Sequence, residues 1–187
     1  MSEAIIGVLG TLLGTLLGWI LGRYDKKGKI SIYFFNIKES FKNKTYGRSG
    51  DRDSKTIEET NYYEIDFYMD IYNSSAETRI MRNITIAIHN GERIIFQDRL
   101  SDRDDRINKT AYYTYGKIES INVPPKTILN YHLFESFSSI EMNPIFKAKE
   151  LRLLYQDEKN KTHSITIKKE DYSHHFDNQE DTQNGQT

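Results

Sequence analysis

The sequence predicts one apolar membrane-spanning helix followed by an all-β domain, an antiparallel immunoglobulin-like β-sandwich of about seven or eight strands. Three observations favour this architecture: an uncharged apolar run near the N-terminus, apolar residues that alternate with period two further along, and turn residues between the short strands. The length of 187 residues suits one such domain beside an anchor. A small β-barrel produces the same pattern and stays open as the alternative.

Changes in composition divide the chain into five segments. They are a short N-terminus (1–3), a transmembrane helix (4–22), a basic juxtamembrane segment (23–29), the β-sandwich domain (30–169) and an acidic tail (170–187). The tail contains five acidic residues and neither Lys nor Arg. Such a polar, like-charged segment cannot bury enough apolar surface to fold, and we expect it to be flexible.

The apolar run contains no charged residue between Glu3 and Arg23. As a helix it spans roughly 28 Å, close to the hydrocarbon thickness of a bilayer. A cleaved signal peptide is the competing interpretation. It requires basic residues before the run and small residues before the cleavage site, but only Met1, Ser2 and Glu3 come first and bulky Ile20 precedes Arg23 by three positions. We therefore predict a retained anchor in the lipid bilayer.

The residues around the end of the run indicate its orientation. Basic flanks stay in the cytoplasm, which predicts a single-pass protein of the cell membrane with its N-terminus outside and its soluble domain cytoplasmic. Aromatic and basic side chains also favour the headgroup region. The residues predicted to lie at the membrane interface are Trp19, Arg23, Tyr24, Lys26, Lys27 and Lys29.

Glycines recur along one side of the predicted helix. A stripe of small residues lets two helix backbones approach closely in lipid, and overlapping Gly-x-x-x-Gly steps favour self-association into a homo-oligomer. The alternative is a monomeric helix, because glycine is common in membrane spans. The predicted helix–helix interface consists of Gly7, Gly10, Gly14, Gly18 and Gly22.

Alternation of apolar and polar residues marks the first strands of the domain. Ile30–Phe35 predicts a first strand, and the polar stretch Lys38–Thr60 predicts a long exposed loop. Tyr63–Tyr72 is the clearest strand, with one apolar face and one face of acidic and tyrosine side chains. Asn90-Gly91 predicts a hairpin with a two-residue type I′ turn, because both residues tolerate a positive φ.

The second half of the domain contains shorter predicted elements. Ser101–Lys109 is predicted as a charged loop, and Pro124-Pro125 marks a break or an edge. Further strands are predicted over 118–123, 127–134, 149–155 and 164–168.

Composition and motifs exclude several classes of function. The absence of cysteine removes disulfides, thiolate metal sites and cysteine nucleophiles, and the net charge of −1 argues against a nucleic-acid partner. No phosphate-binding or dinucleotide motif is present, so no cofactor is predicted. His174-His175 on the tail lacks the spacing of a metal site. The aspartates between Asp98 and Asp105 are interleaved with arginines, which argues against calcium.

Three histidines, His89, His132 and His163, fall in or beside predicted strands, and a catalytic triad is recognised by geometry and not by composition. Without a nucleophile motif the sequence predicts structural roles for them and no enzyme. The tyrosines on the polar face of the long strand suit a protein interface.

The leading prediction is therefore a membrane-anchored, non-catalytic interaction module with an unidentified protein partner. Two alternatives stay open. One is a membrane-active protein whose glycine-rich helix oligomerises to perturb the bilayer. The other is an exported sensor or adhesion domain.

Overall fold

The computed structural model of the chain describes residues 2–25, 27–44, 52–110, 113–138 and 145–169. Its first element is helix α1 (Ser2–Asp25). Within it, Ile5–Arg23 is long and apolar enough to cross a bilayer, and none of that segment is buried. This length and composition are those of a membrane anchor or a signal sequence.

The described residues after α1 form eleven strands. In chain order they are β1 (Ile30–Asn43), β2 (Arg52–Asp53), β3 (Tyr62–Asn73), β4 (Arg79–Asn90), β5 (Arg93–Arg99), β6 (Ser101–Asn108), β7 (Tyr113–Lys117), β8 (Ser120–Val123), β9 (Ile128–Ser138), β10 (Glu150–Gln156) and β11 (Thr162–Lys169). A short 3₁₀ helix, Ile145–Lys147, precedes β10.

The strands are divided between two antiparallel sheets. The six-stranded sheet has the order β2-β1-β3-β9-β6-β7, and the five-stranded sheet has the order β11-β10-β4-β5, with β8 paired to the first half of β4. One hydrophobic core receives side chains from both sheets. The fold is thus a sandwich and not the small barrel that the sequence left open.

Strand β3 shows how alternation builds this core. Every second residue of β3 is buried and the residues between are half-buried. This confirms the prediction of one core face and one wetter face. The fully buried hydrophobic side chains of β3 are Tyr63, Ile65, Phe67, Met69 and Ile71. Burying each of them contributes roughly 1.5–3 kcal/mol relative to leaving it exposed.

Two of the passages from one sheet to the other are made at buried residues. Leu100 lies between β5 and β6, and Ile118 lies between β7 and β8. The backbone N–H of Ile118 donates to the carbonyl of Leu100 over 2.9 Å. The two crossings therefore support each other and hold the sheets together along this side.

The predicted charged loop over 101–109 is wrong, because Ser101–Asn108 forms strand β6. Arg106 pairs with Tyr115 and Ile107 with Thr114 of β7. Most of β6 is exposed, so charged side chains are accepted on both faces and no apolar alternation identifies the strand.

The predicted loop over 38–60 is also partly wrong, because β1 continues to Asn43 and buries Phe41. A bulge separates the two halves of β1: the pairing with β3 shifts between Phe35 and Lys38, and Asn36 has a φ of 51°. The extra residue interrupts the period-two pattern, so alternation in the sequence does not indicate the second half of the strand.

The predicted hairpin joins β4 to β5, but its turn lies one residue later than expected. Asn90 pairs with Arg93, so Gly91 and Glu92 are the central residues. Gly91 has a φ of 62°, which glycine adopts without steric cost.

Asn73 fixes the turn that follows β3. Its side chain is fully buried, and its amide donates to the carbonyls of Glu77, Val123 and Pro124 over 2.8, 2.9 and 3.1 Å. The backbone N–H and hydroxyl of Ser75 donate to its amide oxygen over 2.9 and 2.7 Å. One side chain thus joins the end of β3 to the end of β8, across the two sheets.

The chain enters the domain beside this turn. A Cβ placed on Gly28 would lie 2.2 Å from the backbone nitrogen of Ser75, so only glycine permits this approach. Lys29 N donates to Ser74 Oγ over 2.9 Å, and Ser74 N donates to the Lys29 carbonyl over 3.1 Å. The connection from α1 is therefore held against the β3–β4 turn.

Candidate functional site

The strongest concentration of polar and aromatic groups lies on the side of the six-stranded sheet that is turned away from the core, called here the outer face. Alternation along β3 places Glu64, Asp66 and Tyr68 on this side, because their neighbours are buried. His132 and Phe134 of β9 stand opposite Tyr68 and Asp66 in the strand pairing. These five residues form the centre of the outer face.

Arg103 of β6 connects the two carboxylates at this centre. Its Nε lies 2.9 Å from Asp66 Oδ2, and its Nη2 lies 3.0 Å from Glu64 Oε1. The guanidinium carbon lies 3.9 Å from the ring centroid of Phe134. Burial works against this charge, but the hydrogen bonds that Arg103 donates to Tyr115 and Asp66 and the charge of Glu64 raise the pKa of Arg103. The arginine therefore stays charged and fixed in place.

A row of stacked rings crosses the outer face beside this cluster. Phe35 lies opposite Tyr68 in the pairing of β1 with β3, and Tyr68 lies opposite His132. The ring centroids are 5.4 Å apart in the first pair and 4.2 Å apart in the second. His132 Nε2 also lies 2.8 Å from Asp66 Oδ1. Pairing register and hydrogen bonding thus fix all three rings.

The outer edge of this row is open to solvent. Tyr33 is 62% exposed and Phe35 is 37% exposed, and both point to the outer face because Ile32 and Phe34 pack on the core. Beside the row lies a concavity of about 400 Å³ with a lining of both charge signs. Its lining residues are Lys38, Glu39, Ser40, Glu64, Asp66, Tyr68 and His132.

The structure does not arrange these groups as a catalytic triad. Ser40 stands opposite Glu64 and His132 stands opposite Tyr68, so the hydroxyl and the imidazole lie in different rows of the sheet. The two oxygens of Asp66 face Arg103 and His132.

The other histidines lie elsewhere. His163 Nε2 is 2.8 Å from Asp157 Oδ2, and Tyr155 stacks on the His163 ring. His89 is buried in β4, and burial lowers its pKa. The described residues contain no group of three or more His, Asp or Glu side chains placed to hold a metal ion. His174-His175 lies outside the described residues.

The residues predicted for the helix interface all lie on α1. A Cβ added at Gly7, Gly10, Gly14, Gly18 or Gly22 would meet no atom within 4 Å outside the neighbouring helix backbone. The stripe is therefore unoccupied in the single chain.

The residues predicted for the membrane interface lie at the end of α1 and just after it. Trp19 is exposed, with the Arg23 guanidinium 4.8 Å from its ring centroid. Lys27 and Lys29 are also exposed. Lys26 and the side chain of Tyr24 lie outside the described residues.

Tyr62, Tyr68 and Tyr72 lie on the outer face, as their alternation predicts. The sequence pattern does not indicate a role for Arg103, because it predicts a loop here in which aspartates compensate the arginines. Its partners stand 37 and 39 positions earlier in the chain. No local pattern indicates such a pairing, because it depends on the order of strands in the sheet.

Two antiparallel sheets packed face to face behind an apolar N-terminal helix define the class of this protein as a β-sandwich domain of immunoglobulin-like type. The family model described as the YopI Ig-like domain matches residues 28–168. The chain belongs to this family. The match begins at Gly28 and ends at Lys168, which leaves α1 outside it.

Solved structures give further similarities at low identity. One is a putative ApaA protein from Bordetella pertussis, with 9% identity, a TM-score of 0.33, and coverage of 78% of this chain and 93% of that one. Another is an uncharacterized β-sandwich protein from Clostridium difficile 630, with 13% identity, a TM-score of 0.32, and coverage of 76% and 91%. No curated protein gives a significant match to the sequence.

Proposed function

We propose that the chain is a membrane-anchored, non-catalytic interaction module that binds a protein partner on the outer face. One observation supports this choice above the others: solvent-exposed Phe35 begins a row of rings that the sheet already holds in place, and exposed Tyr33 lies two positions earlier on the same face. Aromatic groups on a rigid surface supply contact area at a low cost in conformational entropy. Such surfaces are typical of protein interfaces.

The charged groups of the outer face support recognition better than catalysis. Asp66 and Glu64 share the guanidinium of Arg103, and His132 lies within hydrogen-bond distance of Asp66. Charged groups that already have partners within the chain can orient a bound protein, but they supply no free base or nucleophile. This is why the proposal assigns no enzymatic activity to the domain.

Replacing both exposed rings tests the interface. With Tyr33→Ser and Phe35→Ser in the full chain, we expect the affinity for the partner recovered from solubilised membranes to fall at least tenfold, because aromatic anchors dominate binding energy. Quantitative mass spectrometry of the co-purified protein measures the loss. The matched control is Ile94→Ser with Ile107→Ser, which removes exposed apolar side chains from β5 and β6. A partner retained equally by both variants would contradict the proposal, as would recovery of the chain alone.

The anchor is the second part of the proposal. We assign α1 to a retained transmembrane helix, with the sandwich on the cytoplasmic side because Arg23, Lys27 and Lys29 follow the apolar run. The glycine stripe adds self-association. The hydroxyls of Thr11 and Thr15 donate to carbonyls of the same helix over 2.9 and 2.8 Å. These side chains therefore stay close to their own backbone and leave room for a second helix.

Bulk placed on the stripe tests self-association. Gly14→Leu meets no other part of the chain, so it leaves the fold unchanged while it holds two helices apart. We expect Förster transfer between differently labelled copies in vesicles to fall to the background of random collisions. Leu16→Phe adds bulk on the opposite side of the helix and serves as the control. Transfer that survives Gly14→Leu would show that the stripe is not an interface.

A further inference from the structure

The strand pairing brings several turns to the end of the sandwich where the chain arrives from α1. Ile30 at the start of β1 pairs with Asn73 at the end of β3, and Tyr72 pairs with Ile128 at the start of β9. In the other sheet, Arg79 pairs with Val123 at the end of β8. The β6–β7 and β10–β11 turns lie at the same end, because both β6 and β10 run toward it. We call this the anchor end, made of residues 27–29, 74–78, 109–110, 124–127 and 157–161.

The anchor end carries an excess of positive charge. Its described residues include six lysines and three acidic residues. All six lysines are exposed: Lys27, Lys29, Lys109, Lys126, Lys159 and Lys161. The described turns at the far end (44, 52–61, 91–92 and 145–149) carry five basic and four acidic residues, so the excess is specific to one end.

Asp157 and Glu158, two acidic residues of the anchor end, hold the β10–β11 turn through contacts within the chain. Asp157 lies 2.8 Å from His163 Nε2 and accepts the backbone N–H groups of Lys161 and Lys159, which lowers its pKa to about 2. Glu158 pairs with Arg79. Both carboxylates therefore stabilise the β10–β11 turn, and the lysines of this turn are exposed to solvent.

We infer that the anchor end docks on the anionic headgroups of the membrane that holds α1, an inference that rests on the proposed anchoring. The connection from Arg23 to Lys29 is six residues long and spans at most about 21 Å, which keeps these lysines near the headgroups. Exposed lysines gain from a negative lipid surface within a Debye length of about 8 Å. Ile128, 63% exposed beside the β8–β9 turn, adds an apolar contact.

Docking restrains the sandwich on the bilayer. A domain held only by a flexible linker would sample many tilts, whereas one held at four turns and at the connection from α1 stands with its strands directed away from the membrane. The outer face is then roughly perpendicular to the membrane surface and is not covered by the bilayer. A protein partner therefore has access to Tyr33 and Phe35 while the domain is docked.

The absence of cysteine makes the test direct. The full chain carries a donor dye on Thr162→Cys at the anchor end, or on Glu92→Cys at the far end, and is reconstituted in vesicles with acceptor dyes on the headgroups. We expect transfer from position 162 to be higher in vesicles that contain phosphatidylglycerol than in pure phosphatidylcholine, and transfer from position 92 to be lower. High salt should remove the difference.

Charge removal supplies the matched comparison. Lys109→Gln, Lys159→Gln and Lys161→Gln together should lower the ratio of docked to free domain about a hundredfold, at about fivefold for each lysine. Lys55→Gln, Lys147→Gln and Lys149→Gln remove the same charge from the far end and should leave transfer unchanged. Equal transfer in both lipids, or equal loss in both variants, would overturn the inference.

Flotation of the same vesicles after carbonate treatment separates the two hypotheses. Chain that remains in phosphatidylcholine vesicles confirms anchoring, whatever the transfer measurement gives, and transfer that then ignores lipid charge overturns docking alone. Chain that is extracted overturns the anchor and the docking inference with it.

Discussion

Replacing Asn73 by Asp should lower the free energy of unfolding by about 4 kcal/mol at neutral pH. The side chain keeps its size but loses the amide that donates to the carbonyls of Glu77, Val123 and Pro124. A carboxylate oxygen would then face these acceptors in a site with no solvent exposure. Each unsatisfied buried group costs on the order of 1–3 kcal/mol, and a buried charge costs more.

Chemical denaturation followed by circular dichroism measures this loss. Asn122→Asp is the control, because Asn122 is exposed in β8 and the same change there should alter stability by less than about 0.5 kcal/mol. The defect of Asn73→Asp should shrink as pH falls. Burial raises the pKa of the new carboxyl in the folded state, so stability is gained below its unfolded pKa and lost as pH rises. A destabilisation independent of pH would contradict the proposed geometry.

Replacing Phe67 by Ala should cost about 4 kcal/mol, within the range of Phe→Ala changes in protein cores. Phe67 is fully buried at the middle of β3, and its ring packs edge to face on Phe34 with the centroids 5.8 Å apart. The neighbouring strands cannot close the space without shifting their pairing, so a cavity is left behind.

The adjacent residue supplies the control for this prediction. Tyr68 follows Phe67 in sequence but lies on the outer face, where it stacks between Phe35 and His132. Tyr68→Ala should cost only about 1 kcal/mol, the worth of aromatic contacts on a half-buried face. Equal losses in the two variants, measured as the shift in denaturation midpoint, would show that the two faces of β3 are not distinct.

Sequence alone predicts most of this fold wherever a strand is buried on one face. In β3, and in β9 to β11, period-two alternation coincides with actual burial because solvent lies on one side and the core on the other. Pro124-Pro125 also marks the break between β8 and β9, and Asn90-Gly91 marks the β4–β5 hairpin with the turn placed one residue early. These signals are local, and each follows from the geometry of a strand or a turn.

The parts that sequence misses depend on contacts between distant residues. The bulge at Asn36 shifts the pattern of β1, and β6 has no apolar face because it lies near the edge of its sheet. Arg103 meets Glu64 and Asp66 only after β3, β9 and β6 have assembled. The alternation along β3 therefore predicts the tyrosines and carboxylates of the candidate site but not Arg103.

The direction of β11 gives the domain an electrical polarity. This strand leaves the anchor end at Thr162 and reaches the far end at Lys169, seven positions later, a distance of about 23 Å. That is about three Debye lengths at physiological ionic strength. The point at which the acidic segment 170–187 is attached is therefore far enough from the lysines of the anchor end for salt to screen the interaction between them. The net positive charge of the described turns therefore lies at the end where α1 joins, and the acidic segment is joined to the chain at the opposite end of the strands.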